Sequence, residues 1–270
     1  MSELIITSRA NPRLKSLVAL RRRRAREDAG LTLIEGYDEL SLALDAGVVP
    51  RTLYHCPELM LDPAVQQDVL RRVQALGSDT QQLGRVAFEK VAYREGPDGF
   101  LAVVDSVVRS CADLAVAGPA PLALICQGVE KPGNLGAMLR TADAAAVVAV
   151  VAVDPVTDWS NPNLVRASKG TVFSVPVASA STPEVLAWLS EHGIALAATT
   201  PDTDLSYTDV DYTGPIAIAV GAEKLGLTDE ILQAATYRIR IPMAGRANSL
   251  NVATSAAVVI YEALRQRRGR

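Results

Sequence analysis

A chain of 270 residues can form two domains, and 49% hydrophobic with 21% charged residues describes a folded globular protein rather than a disordered or fibrous one. No apolar run approaches the roughly 20 residues of a bilayer span. Three cysteines (Cys56, Cys111, Cys126) without a C-x-x-C pair, beside only His55 and His192, argue against a disulfide framework and against a metal site. The expectation is a cytoplasmic protein with no membrane segment and no metal. Its net charge of −3 is unevenly spread: residues 1–30 hold eight Lys or Arg against three acids, the other 240 hold 19 against 27. A local footprint for phosphates follows from that asymmetry.

In chain order, residues 11–28 read as one helix, with Pro12 in its first turn and Leu14, Leu17, Val18 and Leu20 as its apolar stripe. Its far end carries Arg21, Arg22, Arg23, Arg24 and Arg26, cations that suit either a solvated helix end or an RNA backbone. Beyond Gly30, strands over 31–34, 51–55 and 99–104 alternate with helices over 38–46, 63–76 and 85–92, a pattern for a small α/β domain spanning 1–105. Residues 106–121, ending in Gly118-Pro119-Ala120-Pro121, read as a linker. A second domain, 122–270, has strands over 122–126, 147–153, 194–199, 215–220 and 237–241, apolar throughout and without alternation. Such runs belong to a parallel sheet covered on both faces by helices, here expected over 135–146, 163–169, 183–192, 229–235 and 249–268.

Three loops of that domain stand out. The first reads N-x-G-x-x-x-R-T from Asn134 through Arg140 to Thr141, the second G-x-E-K-x-G-L from Gly221 to Leu227. The third runs from Ile241-Pro242-Met243 to Ser249-Leu250-Asn251-Val252, where Pro242 stops a strand and Ser249 is the expected N-cap of the following helix. Loops of small residues at the carboxyl edge of an α/β sheet hold ligands through main-chain groups. Residues 221–228 also fit G-x-x-x-x-G-x-T, but Leu227 stands where a phosphate loop needs lysine, so nucleotide hydrolysis is excluded. No G-x-G-x-x-G follows a strand, which argues against a dinucleotide enzyme.

In order and spacing the three loops resemble the signature motifs of the SpoU (TrmH) family of RNA ribose 2′-O-methyltransferases, within the SPOUT superfamily. The resemblance implies a C-terminal domain with a deep trefoil knot, S-adenosylmethionine as cofactor, and a homodimer acting on structured RNA, rRNA above all. It implies catalytic roles for Arg140, Asn134, Glu223, Ser249 and Asn251, with Arg140 positioning the target nucleotide or assisting its deprotonation, and Glu223 fixing its loop or pairing with Arg140. It implies cofactor contacts, mainly through backbone, at Gly221, Ile241, Leu250, Thr199 and Met243. Arg166 matches an arginine that in relatives reaches the active site, often across a dimer, and joins Arg9, Arg21, Arg22, Arg23 and Arg24 as a candidate RNA contact. The first domain is similar to a ribosomal-protein-like substrate-binding domain, through Ser8-Arg9-Ala10-Asn11-Pro12 and Leu33-Ile34-Glu35-Gly36. One departure is Ala142-Asp143-Ala144-Ala145-Ala146, where relatives usually carry glycine. A tRNA ribose methyltransferase, a base methyltransferase and a catalytically silent RNA-binding relative remain as alternatives.

Overall fold

The arginine run does not prolong the first helix. In the computed structural model, which describes residues 5–268, α1 covers Pro12–Ala19 and a separate α2 covers Arg23–Ala29. Asn11 caps α1 by accepting from the Arg13 N–H. The single helix expected over 11–28 breaks between them because guanidinium groups claim backbone carbonyls there. Arg26 is buried and donates to the carbonyls of Leu20 and Arg21 at 3.1 and 3.0 Å, while Arg21 donates to those of Lys90, Val91 and Ala92 at 3.2, 2.9 and 2.7 Å. A helix interior has no such carbonyls to spare; a helix end does.

The first compact unit runs through Val107 and includes Asp158–Ser174. After α2 come β1 (Leu31–Glu35), α3 (Tyr37–Asp45), β2 (Thr52–His55), α4 (Pro63–Ala75), β3 (Asp79–Gln82), α5 (Arg85–Val91) and β4 (Phe100–Asp105). The sheet order is β1-β4-β2-β3, with β2 and β3 parallel and the other pairs antiparallel. Leu14, Leu17, Leu33, Phe88 and Leu101 form its core. Gly36 has φ +119° and a Cβ there would lie 2.2 Å from the Glu39 carboxylate, so the turn after β1 requires glycine. Segment 158–174 is fastened by Arg26 to Asp158 at 2.6 Å and by the Thr32 hydroxyl to the Ser160 carbonyl at 2.5 Å. The helix expected over 163–169, observed as Pro162–Ala167, therefore belongs to this unit.

The second unit comprises Val108–Thr157 and Val175–Arg270. It contains β5 (Leu122–Gln127), α6 (Pro132–Ala144) and β6 (Ala149–Val153); with Pro162–Ala167 numbered α7, β7 (Val177–Ala180), α8 (Thr182–Glu191), β8 (Ala195–Thr199), β9 (Ile216–Val220), α9 (Asp229–Ala234), β10 (Tyr237–Ile239) and α10 (Val252–Arg268) follow. All six strands are parallel, in the order β10-β8-β9-β5-β6-β7. β5, β6 and β9 are buried along their whole length, the pattern that made them legible as apolar runs. Packing pairs α6 with α10 and α8 with α9. The expected fold class, a helix-covered parallel sheet plus a small α/β domain, is the one observed. Residues 109–114 of the stretch expected as linker are built into this unit, since the Arg109 carbonyl accepts from the Ser179 N–H at 2.9 Å and Cys111 and Leu114 lie in its core. Among the described residues no helix is long and apolar enough to cross a membrane, and no group of His, Cys, Asp or Glu could hold a metal ion.

Candidate active site

In the second unit the β5–α6 turn presents its side chains through a short proline-started helix. Pro132 occupies the first helical turn, where its missing N–H costs nothing, and Lys131, at the N-cap, makes no capping bond with its side chain. That side chain reaches the second loop instead: its Nζ lies 2.5 Å from Glu223 Oε2. Asn134 Nδ2 donates to Glu223 Oε1, also at 2.5 Å. These two donors, the lysine first, hold the Glu223 carboxyl below the usual glutamate range.

The third loop joins through Asn251. Its Nδ2 donates to Asn134 Oδ1 at 3.2 Å, and its Oδ1 accepts from the Ala253 N–H at 3.0 Å. Asn251, not Ser249, is thus the cap of α10, which begins at Val252. Ser249 is exposed and makes no hydrogen bond among the described residues. Because the Asn251 carbonyl oxygen serves a backbone N–H, its amide group must face Asn134. Lys131, Glu223, Asn134 and Asn251 form one chain of bonds linking all three motifs.

The cofactor candidates lie at neighbouring strand ends. Thr199 closes β8, Gly221 follows β9, and Ile241 and Met243 follow β10; these parallel strands are adjacent, so their carboxyl ends share one edge. Thr199 donates its hydroxyl to the Ala219 carbonyl at 2.9 Å. Gly221 admits no side chain, since a Cβ would lie 2.1 Å from the Gly226 carbonyl carbon, where the loop closes on itself through the Ala222 and Gly226 backbone. From 241 to 250 the backbone makes no hydrogen bond to other backbone groups among the described residues, and Met243 and Leu250 are each 37% exposed. Free amides and carbonyls beside exposed apolar side chains fit a ligand with an adenine ring and a polar tail, as S-adenosylmethionine has.

Arg140 is not drawn into the bonded chain. It is exposed on α6, has no ion-pair partner among the described residues, and lines a shallow depression of about 370 Å³ with Ala137, Thr141, Ala144 and Tyr261. The alternative of a Glu223–Arg140 pair is replaced by Glu223–Lys131. In the first unit, Arg9 and Arg22 are exposed; Arg23 and Arg24 pair with Glu27 and Asp28 along α2 at 2.7 and 3.8 Å and stay at the surface. Arg21 is committed to three carbonyls. Arg166 sits in the last turn of α7; burial raises the pKa of Glu35, and the charge of Arg166 is among the smaller influences that oppose the rise. Motif spacing did not single out Lys131, although a cation three residues before Asn134 was its signal.

A family model described as the SpoU rRNA Methylase family matches residues 121–261, and one described as the MRM3-like substrate binding domain matches residues 11–102. The 23S rRNA (uridine(2479)-2′-O)-methyltransferase of Streptomyces viridochromogenes is 32% identical over 97% of this chain and 92% of its own. The 23S rRNA (guanosine(2553)-2′-O)-methyltransferase RlmP of Bacillus subtilis is 29% identical over 95% and 97%. The crystal structure of an AdoMet-bound rRNA methyltransferase from Sinorhizobium meliloti superimposes with a TM-score of 0.88 at 30% identity, covering 97% of each chain. The family model, the relatives and the superimposed structure together make this an RNA methyltransferase of the SPOUT type. The chain belongs to the SpoU rRNA methylase family.

Proposed function

We propose that the protein transfers the methyl group of S-adenosylmethionine to a ribose 2′-oxygen of structured ribosomal RNA. The observation that carries this reading is the bonded chain Lys131–Glu223–Asn134–Asn251, which draws the three motif loops together beside the unpaired backbone of 241–250. The cofactor supplies a methyl already activated by its positive sulfur. What the protein adds is placement of the acceptor in line and relief of its proton, since a ribose hydroxyl does not ionise at neutral pH. Asn134 spends one Nδ2 hydrogen on Glu223 and one Oδ1 lone pair on Asn251, leaving one donor and one acceptor site for a hydroxyl or phosphate. Arg140 serves as the exposed cation that orients the nucleotide through phosphate or ribose.

Gly221, Ile241, Met243, Leu250 and Thr199 line the cofactor pocket in this reading. RNA affinity comes from the first unit, through Arg9, Arg22, Arg23 and Arg24. Relatives named for uridine and guanosine suit a site that reads ribose rather than base, and their naming for 23S rRNA favours rRNA over tRNA as the substrate. The enzyme then works in the cytoplasm as a homodimer. The α6 and α10 surface supports the dimer, because half-exposed Tyr261 borders a depression floored by Ala137 and Ala144 that a second copy would fill. The interposition of β9 between β8 and β5, with α10 packed on α6 and β9, suits threading of the C-terminal segment as a trefoil knot. Leu250→Trp tests the pocket: calorimetry should lose S-adenosylmethionine binding while the thermal melt is retained, and an unchanged affinity would remove these residues from the pocket.

A further inference from the structure

β5 directs alternate residues to opposite faces of the sheet. Ala123 and Ile125 enter the core beneath α8 and α9, whereas the Cys126 thiol meets the Met138 sulfur of α6 at 3.9 Å. The next residue in the Ala123–Ile125 row is Gln127, a polar side chain only 3% exposed at the top of an apolar column. An unsatisfied amide there would be costly, yet both ends of this one are satisfied. Its Oε1 accepts from the Thr228 N–H at 2.9 Å, and its Nε2 donates to the Thr228 hydroxyl at 3.0 Å and the Thr182 hydroxyl at 2.9 Å. Thr182 in turn donates to Asp154 at 2.7 Å, and Asp154 lies 3.5 Å from the same Nε2.

Thr228 directly follows the second motif, Gly221 to Leu227, and is the N-cap of α9. The loop holding that motif leaves β9 at Gly221, folds back on itself between Ala222 and Gly226, and ends at Thr228. It is gripped from the β5–α6 segment at two points: Lys131 and Asn134 take its tip at Glu223, and Gln127 takes its far end by two bonds to one residue. Apolar packing would tolerate sliding of that end, whereas two bonds of opposite direction fix position and orientation together. We propose that Gln127 is a positioning residue for the methyl-transfer reaction, setting the Gly221–Thr228 loop at the height at which its backbone meets S-adenosylmethionine. This rests on the reading that Gly221 borders the cofactor.

Gln127→Met removes both bonds at nearly constant volume, and Thr228→Val removes the hydroxyl bond alone. Thr182→Val cuts the same polar cluster on the α8 side and spares the loop. Calorimetry with S-adenosylmethionine should give a Kd about tenfold higher for Gln127→Met and severalfold higher for Thr228→Val, with kcat at saturating cofactor within about threefold of the parent. Thr182→Val should lower Tm and leave that Kd within twofold. The two loop-side changes combined should be less than multiplicative, because they delete a shared bond. An unaltered Kd in folded Thr228→Val and Gln127→Met, with Leu250→Trp still abolishing binding, would make Gln127 a purely structural residue and overturn the proposal. Unaltered binding in Leu250→Trp as well would instead remove the pocket reading on which the proposal rests.

Discussion

Asn251 does two jobs with one amide, capping α10 and holding Asn134. Asn251→Ala should therefore cost roughly 1 kcal/mol of stability through loss of the cap and also depress kcat at least tenfold by freeing Asn134. Ser249→Ala, at a residue with no such bonds, should change Tm by less than about one degree; paired melts and methylation rates separate the two. Glu35 is a different kind of residue. Burial pushes its carboxyl from 4.5 up to about 7, while the Tyr93 N–H at 2.8 Å and the charges of Arg94 and Arg166 pull it down and Asp98 raises it. Its other oxygen, Oε1, is buried without a partner among the described residues. Across the interval from 4.5 to about 7 the folded chain keeps a proton that the unfolded chain has released. Stability is thus fully present below the ordinary value and falls as pH rises through the folded one, by up to about 3 kcal/mol. Glu35→Gln should flatten that decline and melt higher than the parent near pH 8. Parallel Tm–pH profiles for the two proteins would contradict this.

At the scale of elements, the arginine run divides by what each guanidinium touches. Neutralising Arg22, Arg23 and Arg24 should weaken RNA binding and lower its salt slope by about 0.7–0.9 for each phosphate no longer neutralised, with little change in Tm. Arg21→Ala should act on stability, because it deprives three carbonyls at the end of α5 of their donor. Fluorescence titrations over a salt series, run beside thermal melts, distinguish these; a salt slope unmoved by the triple change would return the segment to an ordinary solvated helix end. Sequence pattern located β5, β6, β8 and β9 because buried parallel strands are uniformly apolar. It missed β3, whose Asp-Thr-Gln-Gln has no apolar signal and is held by its ladder to β2, and β7, whose four small residues are too few to register. The break between α1 and α2 was illegible because arginine is a good helix former, and only tertiary carbonyls reveal the competition. In the site, Asn134, Glu223 and Asn251 were readable from motif spacing. Lys131 and Gln127 were not, since their roles depend on a loop about a hundred residues away.

The exposed arginines of α2 lie in the first unit, and the bonded loops together with exposed Arg140 lie in the second. A dimer through α6 and α10 predicts that Ala137→Glu or Tyr261→Asp yields monomers by sedimentation with the second unit still folded; a parent protein already monomeric at micromolar concentration would exclude that assembly. Mapping the transferred methyl group distinguishes ribose methylation of ribosomal RNA from the other RNA chemistries. Ribosomal RNA incubated with the protein and isotopically labelled S-adenosylmethionine should, after nuclease digestion and mass spectrometry, carry the label on one ribose 2′-oxygen, and Arg140→Ala should reduce that signal at least a hundredfold. Label found on a base, or on tRNA with none in ribosomal RNA, would contradict ribose methylation of ribosomal RNA.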